Sequence, residues 1–97
     1  MITVLRIVRL SFVPENIAAF EQIFRDAQPL IASFDGCMGV EVKRDFEQHN
    51  VYYTVSRWRS HADLQNYRQS ELFRTTWAKT KVLFDEKPKA FSLCDLV

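Results

Sequence analysis

Four strand-like segments and two helical stretches, met in the order β-α-β-β-α-β, predict an α+β fold: a ferredoxin-like protomer with a four-stranded antiparallel sheet. Three observations lead there. Short runs rich in Val, Ile, Leu and Tyr recur near residues 3–12, 37–45, 51–58 and 90–96. Apolar residues at helical spacing fill the intervals after the first run and before the last. Only a polar turn, "FEQHN", separates the second run from the third, so those two form an antiparallel hairpin.

The first run, Thr3 to Phe12, carries Val4, Val8, Leu10 and Phe12 on one side and Leu5 and Ile7 on the other. Arg6 and Arg9 interrupt one face each. In "VPENIAAF", Pro14 and Asn16 suit a helix start. Ile17, Phe20, Phe24, Ala27, Ile31 and Phe34 keep helical spacing, and Pro29 inside that pattern predicts a kink or break near Ala27–Gln28. The helix ends before "DGC", where Gly36 takes a positive φ at little cost. In the second strand, Cys37 to Asp45, Met38, Val40 and Val42 share a face opposite Glu41, Lys43 and Asp45. In the third, Val51 to Trp58, the set Val51, Tyr53 and Val55 opposes Tyr52, Thr54, Ser56 and Trp58. Ser60 then caps a short helix with Asp63 three residues on, and Leu64 and Tyr67 form its buried side. Ser70 caps a longer helix with Phe73, Trp77, Thr80 and Phe84 along one stripe, until Pro88 in "DEKPK" breaks it. A strand from Ala90 to Leu96 closes the domain, which is expected to be single over residues 1–97.

Composition narrows the function classes. The 97 residues are 47% hydrophobic and 26% charged, with 13 basic against 12 acidic side chains and a net charge of +1. No Lys/Arg run stands out, so nucleic acid is not an expected partner. No apolar stretch is long enough to cross a bilayer, so no membrane is expected either. "MITVLRIVRL" has Arg6 and Arg9 inside its apolar run and no small-residue cleavage site, so it reads as a first strand, and the cytoplasm is the expected location. Cys37 and Cys94 belong to no CxxC or Cys/His spacing and are expected to be small buried residues in a reducing compartment. His49 and His61 stand alone in turn-like contexts, and no set of residues converges at metal-ligand spacing. Two glycines do not make a phosphate cradle.

Patterning also predicts an assembly. The topology puts both helical segments on one face of the sheet, yet the strands carry apolar groups on both. Burying several hundred Å² of the second face is worth on the order of 10 kcal/mol at about 25 cal/mol/Å², before association costs. A second copy of the same face, in a two-fold homodimer, is the simplest cover.

"SRWRSHADLQNYRQSELFRTTW" resembles the W-x-S…Y…S-x-x-F segment of antibiotic biosynthesis monooxygenase domains, a family of the dimeric α/β-barrel superfamily. "RIVRLSFVPENIAAFEQIF" and "FDGCMGVEVKRD" extend the resemblance over nearly the whole chain, the latter in the place of the family's G-C-x-G-x-x-x-x-R-D strand. The resemblance implies a protomer whose sheet pairs face to face with another to form a barrel. It further implies cofactor-free oxygenase chemistry on an electron-rich aromatic or quinone-like molecule: the substrate anion donates an electron to O₂ inside a mostly apolar cavity between sheet and helices. No cofactor is then expected. In haem-degrading relatives the W of the segment, here Trp58, contributes to the pocket; Trp77 falls where those relatives place their haem-ligating histidine, and Val8 where they carry an asparagine. Neither Trp nor Val ligates iron, so haem degradation is not expected.

The candidate pocket-lining residues are Trp58, Trp77, Tyr67, Phe73, Tyr53 and Arg9. Phe73 and Trp77, one helical turn apart, serve either as core between helix and sheet or as pocket wall. Tyr52 and Tyr53 face opposite ways, so one at most looks into a given cavity. Arg6, Arg9 and Arg57 lie within strands, where they bind an anion, pair with Glu41 or Asp45, or rim an interface; pairing is the expectation. No catalytic base is singled out. The alternative to an enzyme is a non-catalytic dimeric module of the same fold that binds a small hydrophobic ligand or serves in stress response.

Overall fold

In chain order the elements are β1 (Val4–Ser11), a 3₁₀ turn at Pro14–Asn16, α1 (Ile17–Ala32), β2 (Cys37–Arg44), β3 (Val51–Trp58), α2 (His61–Arg68), α3 (Glu71–Lys81) and β4 (Lys89–Leu93). They are seen in a computed structural model that describes residues 2–96. The four strands form one antiparallel sheet in the order β2-β3-β1-β4, the ferredoxin-like arrangement. β1 lies centrally, with Val4 opposite Trp58 and Ile7 opposite both Val55 and Phe91.

Even-numbered residues of β1 face the helices. Val4 packs with Ala27, Ile31, Trp58 and Leu64, while Leu10 and Phe12 pack with Phe20, Phe24 and Tyr52. The core is therefore two clusters, one toward each end of α1, with Val40 touching both.

Four expectations are corrected. α1 runs through Pro29 without a break, because Pro29 sits in its last turn on the exposed side, where the Arg25 carbonyl it leaves unpaired can meet water. Ser33 then closes the helix on the Pro29 carbonyl through both its backbone N–H and its hydroxyl. In β2 the register shifts between Cys37 and Gly39, the latter at φ +147°. This bulge puts Met38, 59% exposed, on the face opposite Val40. α3 stops at Lys81, before Phe84, because strand-like bonds claim the segment that follows: Val13 N–H donates to Leu83 O and Asp85 N–H to Ser11 O. Phe84 bridges Phe12 instead. β4 ends at Leu93, which leaves Cys94 exposed; Cys37 is half-buried against the core.

Where the turn after α1 meets the start of α2, Arg59 joins the two, its N–H donating to Gly36 O and its guanidinium reaching Asp35 and Asp63. Asp63 is buried and accepts from Arg59 Nε at 2.9 Å, Arg59 Nη2 at 3.1 Å and Ser60 Oγ at 2.9 Å, while its own N–H donates to Ser60 Oγ. Both predicted caps are thus in place, since Ser70 Oγ accepts from the Phe73 N–H.

Candidate functional site

Between the two core clusters the layers do not fill the space. The inward face of the sheet carries short side chains there: Val8 on β1, Thr54 and Ser56 on β3, Ala90 on β4. Opposite them stand large ones, Phe20 and Phe24 from α1 and Phe73 and Trp77 from α3. Short residues facing long ones that already have aromatic neighbours leave a void, here a cavity of about 310 Å³. Aliphatic and aromatic side chains make up most of its wall.

The rings of the wall belong to a longer connected series. Trp58 stacks on Tyr67 with centroids 4.9 Å apart, Tyr67 meets Phe73 edge to face at 5.3 Å, and Phe73 lies nearly parallel to Trp77 at 5.9 Å. Trp77 continues to Phe84 and Phe84 to Phe12. Each ring is thereby held by its neighbours, which gives the wall a fixed shape.

Charged groups are few and of one sign. Arg6, on the inward parity of β1, reaches the cavity and donates from Nη1 to Ser92 Oγ at 2.9 Å. Arg68, at the end of α2, lines it as well. Burial, and then the nearby Arg68 charge, pull the Arg6 guanidinium below its ordinary pKa. Burial pushes the Tyr67 phenol up to about 12, so near neutrality it is a neutral hydrogen-bond donor and not a base. Trp58 Nε1–H donates to Ser56 Oγ at 2.9 Å, which leaves the Ser56 proton free to turn into the cavity. No Asp, Glu or His lines the cavity among the described residues. His49 and His61 are exposed; His61 opens α2, its ring 3.1 Å from Gln65. Among the described residues no cluster of His, Cys, Asp or Glu could hold a metal ion.

Tyr67, Phe73 and Trp77 are brought together on the wall. Trp58 is fully buried one layer behind it, stacked on Tyr67, and does not reach the cavity. Arg9 and Tyr53 lie across from each other on the opposite face of the sheet, because both have the outward parity. Arg9 pairs there with Glu86 at 2.6 Å and not with Glu41 or Asp45; Glu41 is taken by Lys43. The cavity's arginines are the ones the candidate set left out. Two signals could have found them: Arg6 shares its parity with Val4, Val8 and Leu10, and Arg68 follows Leu64 by one helical turn.

The family model described as antibiotic biosynthesis monooxygenase matches residues 3–79. The fold superposes on that of a conserved protein from Methanosarcina mazei Go1 at a TM-score of 0.91 and 14% identity, covering 96% of this chain and 92% of that one. Rv0793 from Mycobacterium tuberculosis gives 0.90 at 19% identity, covering 98% and 96%. A structure named antibiotic biosynthesis monooxygenase gives 0.89 at 15%, covering 97% and 98%. At these identities the likeness establishes the fold. No curated protein matches the chain.

Proposed function

The chain belongs to the antibiotic biosynthesis monooxygenase family, and from that premise we propose that it is a cofactor-independent monooxygenase acting on an electron-rich aromatic or quinone-like molecule. The observation that carries this reading is the cavity itself: aromatic walls, two guanidiniums, one neutral phenol and no carboxylate or imidazole among its described lining.

That chemistry suits a substrate that carries the reaction. A polycyclic phenol entering the cavity stacks against the Phe73–Trp77 wall, and the arginine charges favour its phenolate, so the proton leaves to solvent without a protein base. The phenolate gives one electron to O₂, the phenoxyl radical and superoxide combine at a ring carbon, and the peroxide anion takes a proton back from solvent. Loss of water from the resulting hydroperoxide yields the quinone. One O₂ is consumed, one oxygen atom enters the ring and the other leaves as water. Tyr67 and Ser56 donate hydrogen bonds to the oxygens on which charge develops.

The proposal includes a homodimer through the open face of the sheet, where Leu5, Ile7, Val55, Phe91 and Leu93 lie together and Phe91 and Leu93 remain 51% and 47% exposed. An oxygen electrode tests the activity with naphthalenediols in chelator-treated buffer. Expected is O₂ uptake above autoxidation with quinone formed one for one, and none under nitrogen. Saturable binding of the diols without uptake would replace the enzyme by the ligand-binding module of the same fold, a reading that the absence of a base in the described lining favours.

A further inference from the structure

Two like charges share the cavity, and among the described residues no acidic group pairs with either. Every ion pair among the described residues lies elsewhere: Arg9–Glu86, Lys43–Glu41, and Arg59 with Asp35 and Asp63. Arg6 spends one donor on the Ser92 hydroxyl, and the Arg68 side chain makes no hydrogen bond to another described residue. A guanidinium in a partly desolvated place is costly unless it is paired, and a second one nearby adds repulsion. Paired arginines that face apolar walls instead of acids suit an oxyanion that arrives with an apolar body.

We infer that Arg6 and Arg68 form a recognition site for the carboxylate of an aromatic acid, whose rings occupy the cavity against Phe73 and Trp77. The size agrees. An apolar cavity of about 150 Å³ holds one benzene ring, so about 310 Å³ admits two fused rings and their acid group. The position agrees as well. Arg6 comes from the sheet and Arg68 from the end of α2, so the two guanidiniums approach one anion from different elements, and Tyr67 lines the same cavity. Phosphate shares the oxyanion chemistry, but it would leave the aromatic wall without a partner.

This assignment deepens the proposed function and rests on its placement of the substrate in the cavity. Titration calorimetry on the full chain tests it with three probes: 2-naphthoate, its neutral counterpart 2-naphthamide, and inorganic phosphate. Expected is binding of 2-naphthoate at least about tenfold tighter than that of the amide, the range of a charge-assisted hydrogen bond, with phosphate weaker than the acid. Arg68→Gln, at an exposed helix end, should erase the preference for acid over amide while leaving the melting temperature in place. Arg6→Gln should do the same and Arg6→Lys should restore part of it. Equal affinity for acid and amide, a preference that survives both glutamine variants, phosphate binding as tightly as 2-naphthoate, or no saturable binding of 2-naphthoate would each overturn the inference. Selective binding of the acid with no O₂ uptake by the diols would overturn the oxygenase and leave the arginine site standing.

Discussion

Gly36 has a φ of +86°, and a Cβ placed there would lie 2.4 Å from both Cβ and Cγ of Asp63. Its carbonyl meanwhile accepts from the Arg59 N–H at 2.8 Å, so the backbone cannot easily move away. Gly36→Ala therefore combines left-handed strain with a collision against a buried carboxylate, and a loss of at least about 2 kcal/mol is expected. For a chain of this size that is a fall in melting temperature of about 10 °C, measurable by circular dichroism. The positive φ was legible from the helix end; the closeness of Asp63, 27 positions on, was not, since it depends on how α2 docks. For the arginines the signal lies in the sequence. Arg6 and Arg9 read alike as strand cations, yet parity alone sends one into the cavity and the other to the far face.

At the level of elements, the start of α2 is held by a carboxylate whose hydrogen bonds from Arg59, and then from Ser60, keep its pKa below the ordinary value. The sign follows directly. A carboxyl that is more acidic folded than unfolded stabilises the fold above its unfolded pKa, and that stability fades as pH falls through the folded one. Asp63→Asn should lower the melting temperature at neutral pH, and the gap to wild type should close below about pH 4. A gap of constant size from pH 7 to pH 2 would assign the loss to the cap geometry instead of the charge. The cap itself was readable, because Ser and Asp three residues apart ask for it. The bulge in β2 was not. Strict alternation placed Met38 with Val40, and only pairing against β3 shows the extra residue and the turned-out methionine.

For the whole molecule, the open sheet face is the surface on which the proposed assembly rests. Phe91 sits on an edge strand opposite Ile7, in the middle of the apolar patch and away from the cavity lining. In the proposed homodimer, wild type sediments at twice the chain mass of 11.4 kDa, and Phe91→Glu shifts it to monomer. A wild-type monomer at micromolar concentration would remove the dimer.

Element order, both helix caps, the hairpin and the apolar character of both sheet faces depend on residues close in the chain. Propensity, periodicity and local hydrogen bonding act over a few residues, so the sequence alone determines them. The cavity has a different origin. It exists because short residues on β1, β3 and β4 come to lie beneath rings from α1 and α3, with Arg6 and Arg68 converging from separate elements. No local rule specifies a void or a meeting of distant charges, because both are set by how the layers pack, and that only the tertiary structure decides.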